Sequence, residues 1–185
     1  MGKGMIESPF SAKRTIEMVV GTLLYAALTI PFNILQVPGD GGFLMIRPAI
    51  AIPIVFGIIF GPVVGFIVGL LGKVLSDFAS FGALSWNREI GSALLGAVPG
   101  MAYFFIRPRD WTKAKALAMA AVLAIVASIV GVGFATMTDY ILQTDLSAIA
   151  RFYSAAGTAI VNCVILTPTL LFAYTKAIAE RARRK

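Results

Sequence analysis

Six apolar runs separated by short polar breaks make up almost the whole chain, at about 15–35, 43–60, 62–81, 90–106, 114–138 and 152–177. Each is close to the ~20 residues that a helix needs to cross the hydrocarbon of a bilayer, so the pattern predicts six transmembrane helices. The breaks carry turn chemistry. Residues 36–42 combine Pro38 with Gly39, Asp40, Gly41 and Gly42; proline stops a helix, and glycine or aspartate tolerates positive φ. Gly61-Pro62 makes a very tight turn, and residues 82–89, 107–113 and 139–151 separate the remaining runs. Glu17 falls in the first turn of the first helix, where the dipole favours a carboxylate. That first run is too long for a signal-peptide core and lacks a small-residue cleavage pattern, so it reads as a retained span.

Composition turns this pattern into a solvent assignment. With 58% apolar residues and a mean hydropathy of +0.87, too little polar surface exists to wrap a water-soluble globule. The expected fold is an all-α integral membrane protein, one transmembrane domain over residues 1–185. Charge then orients it. Twelve of the 16 Lys and Arg residues lie in residues 1–14, in the middle loop and first turn at 107–115, and near the C-terminus from Lys176 onward. Basic residues stay on the cytoplasmic side, so both termini are expected inside, N-in and C-in. Arg47, Arg88 and Arg151 then fall one in each outer segment, and Lys73 lies within a span. The net charge of +7 flanks apolar runs instead of forming a patch interleaved with aromatics, which favours lipid over nucleic acid as counter-ion. Histidine is absent and Cys163 is the one cysteine, so no metal site, cofactor or disulfide is expected. No phosphate-binding loop, dinucleotide fingerprint, HExxH or GxSxG occurs, so uphill transport would draw on an ion gradient or on other chains.

Polar residues beyond the basic clusters gather at the outer rim, which makes that rim the candidate site for a small solute. The candidate substrate-binding residues are Asn33, Arg47, Trp86, Asn87, Arg88, Glu89, Asp139, Tyr140 and, deeper, Asn162. Trp86 and Tyr140 either stack on a flat heterocycle or belong to the interfacial aromatic belt. Asn87 and Arg88 either read carbonyl or phosphate oxygens, or Arg88 pairs with Glu89 or an aspartate. Lys73 and Asp77 lie four apart on one helix face, as an internal ion pair or as a device for ligand or ion coupling. Asn162 bonds a neighbouring helix or the solute, whereas Cys163 reads as a small core residue. Glycines 57, 61, 65 and 69 recur every fourth position, a ridge that lets helices approach closely. Gly21, Thr22 and Ala26 form a comparable small-residue patch that either grips a partner or packs within the chain.

Two stretches carry a family resemblance. The run from Arg47-Pro48-Ala49-Ile50 through Pro53, Gly57, Gly61-Pro62, Gly65, Gly69 and Gly72, and the run from Trp86-Asn87-Arg88-Glu89 through Gly91, Gly96, Pro99 and Gly100, resemble the membrane-embedded S components of energy-coupling factor (ECF) transporters. Chain length, six spans and small residues on helix 1 agree with it. The resemblance implies a six-helix binder in a prokaryotic cell membrane that captures a vitamin or related micronutrient outside, then topples on a module of one transmembrane T subunit and two ATPases. It implies no catalytic activity, and it implies that helix 1, at Gly21, Thr22 and Ala26, is the docking face; the alanine-rich family pattern there is altered in this chain. Two other classes remain open on the residues alone, an autonomous ion-coupled carrier or channel and an intramembrane enzyme. No residue selects one vitamin, although three outer arginines favour an anionic or carbonyl-rich ligand.

Overall fold

The computed structural model describes residues 11–34, 48–105, 114–143 and 147–183. All regular structure among them is helical: α1 (Ala12–Ile34), a 3-10 turn (Pro48–Ile50) leading into α2 (Ala51–Phe60), α3 (Pro62–Phe81), α4 (Trp86–Gly100) continued by a 3-10 turn (Met101–Phe104), α5 (Ala114–Gln143) and α6 (Ser147–Arg183). Three stretches, Pro62–Phe81, Ala114–Leu142 and Ala155–Glu180, are long and apolar enough to cross a membrane, while Pro48–Phe60 is a shorter apolar helix. Their outer faces present bare hydrocarbon such as Leu71, Val122 and Ile165, more than a water-soluble monomer tolerates.

The helices pack in chain order along one side, α1 on α3, α3 on α4, α4 on α5 and α5 on α6, and α2 fills the middle against α1, α3, α4 and α6. This explains why α2 is apolar all round: every residue of it except Phe56 and Phe60 is buried. On one side Ile54 and Ile58 meet Ala120, Ala124 and Ala127 of α5 with Cys163 and Leu171 of α6. On the other, Ile52 meets Met18, Tyr25, Val64 and Val68. Lipid supplies no hydrophobic drive between helices, so their association rests on van der Waals fit.

The glycine ridge supplies that fit, with one change from its expected role. A Cβ on Gly57, Gly65 or Gly96 would sit inside the backbone of the facing helix, so α2, α3 and α4 cross at a point that only hydrogen atoms can occupy. Gly61 interrupts the ridge. It adopts φ 104° in the α2–α3 turn, a conformation costly for side chains with a Cβ, and Pro62 starts α3 at the position where its missing N–H costs nothing. At its other end α3 stops at Gly82, with φ 65° and its N–H donating to the Phe78 carbonyl, an αL cap.

α4 begins at Trp86 and α5 reaches Gln143, so the polar segments expected at 82–89 and 139–151 are shorter than the hydropathy pattern predicts. A carboxylate cap explains the first difference. The Ser85 N–H donates to Glu89 Oε1 at 3.0 Å, and the acid lies in the first helical turn, where it complements the dipole. Polarity near this helix start is thus capping chemistry within a helix, not loop.

Candidate functional site

The C-terminal parts of α1, α3 and α5 and the N-terminal parts of α2, α4 and α6 converge at one end of the bundle around a cavity of about 580 Å³. Its wall includes Tyr25 and Thr29 of α1, Ala49 and Ile50 before α2, Lys73, Asp77 and Phe81 of α3, Ala83 and Ser85 of the turn, Arg88, Gly91, Ser92 and Leu95 of α4, Gly131, Val132, Ala135, Thr136 and Asp139 of α5, and Ala155 of α6. The volume falls within the ~300–1,000 Å³ of ordinary small-molecule sites, and the mixture of apolar wall with a few placed polar groups is typical of them.

Definite partners hold most of these polar groups. Tyr25 is buried, and its hydroxyl shares a hydrogen bond of 2.9 Å with the Ser92 hydroxyl, joining α1 to α4. Lys73 Nζ donates to Asp77 Oδ1 at 2.7 Å, and the Ser76 hydroxyl donates to the same oxygen at 3.4 Å. The helical face assigned to this pair from its spacing is therefore also cavity wall. Asn87, buried just behind the rim, donates from Nδ2 to the Ala135 carbonyl at 3.0 Å and to Asp139 Oδ1 at 2.6 Å, which ties α4 to α5. Thr29 and Thr136 return their hydroxyl protons to the Tyr25 and Val132 carbonyls, and their oxygens remain acceptors. Among the described residues, the charged ones in the wall are Lys73, Arg88, Asp77 and Asp139, two of each sign.

Of the candidates that the sequence places at the outer rim, the fold brings Arg88 and Asp139 into the wall, and sets Asn87 and Glu89 behind it as the inter-helix tie and the helix cap. Trp86 and Tyr140 lie outside the lining, 53% and 39% exposed; they share helices with Arg88 and Asp139 but turn away from the space that those residues face. Asn162 is also outside it, buried in α6 with its amide donating to the Thr158 carbonyl at 2.7 Å. Arg47 lies outside the described residues, as does the side chain of Asn33. Gly21, Thr22 and Ala26 are buried. A Cβ on Gly21 would come within 2.7 Å of Val68 and Phe56, so the patch seats α1 on its own bundle, and the outward row of the same helix is Ile16, Val19, Val20, Leu23, Leu24 and Leu28. The arrangement has a simple cause: buried and exposed residues alternate at helical spacing, and small residues occupy the side where backbones meet.

Tyr25, Thr29, Ser92 and Thr136 were not legible as site residues. A lone tyrosine or hydroxyl in an apolar run has the same local signature whether it meets a neighbouring helix or a solute. The available signal for Ser92 and Gly91 was their place one to two turns after the cap at Ser85.

A cavity with an apolar wall and a few placed polar groups, at one end of an all-helical membrane bundle, is what a solute-binding subunit requires, and the sequence points the same way. Residues 10–176 match the family described as ECF-type riboflavin transporter, S component. The chain belongs to this family. The match reaches from α1 into α6, which makes the protein a substrate-binding, multi-pass membrane subunit of the ECF type and not a member of a catalytic family. No curated protein and no solved structure matches the chain significantly.

Proposed function

We propose that this S component captures riboflavin or a closely related flavin in the cavity at the α3–α4 end and delivers it across the membrane with a T subunit and two ATPases. The observation that carries this reading is the cavity itself in a chain of this family: its volume, its aromatic walls at Tyr25 and Phe81, and its hydrogen-bonding groups on several helices. A volume near 580 Å³ is within the range of sites that hold drug-sized ligands. Among the described residues the charges of the wall balance, which suits an uncharged solute better than an anion.

Orientation follows from charge. The cavity end carries Arg88 and the α3–α4 turn, whereas Lys13, Arg14, Lys115 and Lys176 lie on the helix ends opposite it, so the positive-inside rule supports an outward-facing cavity in a prokaryotic cytoplasmic membrane with both termini inside. Arg88 and Asp139 are the proposed rim contacts. α1 is the proposed contact for the T subunit, through its outward row at Val20, Leu23 and Leu24.

Riboflavin fluorescence titrated with the purified chain in detergent tests the binding half of this reading, and saturable quenching at one site per chain is expected. Uptake into liposomes tests the rest. Transport should require the T subunit and ATPases together with ATP. Uptake by the chain alone down an ion gradient would instead establish a self-driven carrier.

A further inference from the structure

The Lys73–Asp77 pair has a geometry that its structural role does not require. With a rise of ~1.5 Å per residue, the two residues lie about 12 and 6 Å below the end of α3 at Phe81, so they line the deeper wall of the cavity and not its rim. Their side chains are only 16% and 7% exposed. A buried ion pair recovers its desolvation only with good geometry and further hydrogen bonds, and an apolar pair of similar volume often serves packing as well or better. Here the pair stands where a solute would replace the lost water.

The donor and acceptor inventory defines what it can hold. The two hydrogen bonds to the Asp77 carboxylate within the described residues both reach Oδ1, which leaves the acceptor sites of Oδ2. Lys73 carries three N–H donors; Asp77 takes one of them, and Lys73 makes at least one further interaction. An acceptor beside a donor, with opposite charges already compensated, complements a solute edge that carries a ring N–H next to a carbonyl. A zwitterion or an anion would have to pull the 2.7 Å pair apart, whereas an uncharged edge of this kind spans it intact.

We propose that Lys73 and Asp77 are specificity-determining residues that read a cyclic imide or lactam edge of the solute, Asp77 accepting the ring N–H and Lys73 donating to the adjacent carbonyl. This rests on the solute-binding reading of the same cavity and narrows it to uncharged heterocycles with such an edge. Riboflavin carries one, and methylation at its ring N3 removes the N–H while leaving the rest of the molecule in place.

The test compares riboflavin with 3-methylriboflavin on the intact chain and on Asp77→Asn. A hydrogen bond to a charged group corresponds to a preference on the order of 10- to 100-fold for riboflavin in the wild type, and this preference should fall below about threefold in Asp77→Asn. A purely structural role for the pair would weaken both ligands equally and keep the ratio, an outcome that overturns the inference while leaving the riboflavin reading intact. Equal affinity of the wild type for both ligands overturns it as well, independently of any variant. Absence of binding of either ligand to the wild type overturns both readings. If Asp77→Asn does not fold, the double variant Lys73→Gln with Asp77→Asn removes both charges together and leaves none unpaired in the wall, and the same collapse of the ratio is expected.

Discussion

Gly91 and Gly131 face each other where α4 and α5 form the cavity wall, and adding one methyl group there should move the wall by a measurable amount. A Cβ on Gly91 would stand 2.5 Å from the Gly131 carbonyl oxygen, which must recede by about 0.9 Å to reach the 3.4 Å of ordinary contact. The obstacle is backbone, so no side-chain rotation relieves it. Overpacking of this kind costs about 1–3 kcal/mol, here toward the upper end, and the gain in helix propensity of alanine over glycine offsets about 1 kcal/mol. A net loss near 2 kcal/mol is expected for Gly91→Ala. The same displacement would stretch the 2.6 Å bond from Asn87 to Asp139 toward 3.5 Å, where it contributes little, and would widen the wall beside Arg88 and Asp139. Gly82→Ala provides the contrast. Gly82 has φ 65° with nothing within 4 Å of an added Cβ, so that variant loses about 1–2 kcal/mol to the αL backbone without moving any helix. Thermal unfolding in detergent and riboflavin titration, run on both, separate the two effects. Both variants should unfold earlier, by about 2–4 °C per kcal/mol, but only Gly91→Ala should bind at least tenfold more weakly. If the two variants lose affinity equally, or if Gly91→Ala binds like the wild type, the helix-separation reasoning is wrong.

Further outcomes follow from other contacts. In a double-mutant cycle of Asn87→Ala and Asp139→Ala, unfolding should reveal a coupling of about 1–2 kcal/mol, because the tie joins an amide to a carboxylate; additive effects would show that the two helices do not depend on it. Thr22 has a buried hydroxyl with no hydrogen-bond partner among the described residues, so Thr22→Val, which keeps the shape and removes the orphan, should raise stability by about 1 kcal/mol, and a drop in the unfolding midpoint would contradict the burial argument. Trp86→Phe should leave riboflavin affinity within about twofold of the wild type, since Trp86 is 53% exposed outside the cavity lining; a large loss would bring the tryptophan into the site.

The spacing of apolar runs, the glycine periodicity and the distribution of lysine and arginine were enough to give an all-helical membrane chain and the approximate helix positions, and they pointed to the end of the bundle where the cavity lies. These are one-dimensional properties. Lipid demands long apolar stretches, and turns demand glycine and proline, so both write themselves into local sequence. The i,i+4 placement of Lys73 and Asp77 was equally local, and their ion pair was legible from it. Which residues share the cavity was not. Trp86 and Arg88 are two positions apart, yet one turns outward and the other lines the wall, and the difference depends on how α4 is rotated against α3 and α5. The same holds for Gly21, Thr22 and Ala26, whose small side chains announce a close helix contact without saying with whom. Rotation and partnership are set by the crossing of glycine surfaces from three different helices at Gly57, Gly65 and Gly96. Close packing between segments distant in sequence fixed the cavity, because in lipid the shape of facing surfaces decides which helix faces meet, and that shape exists only once the chain has folded.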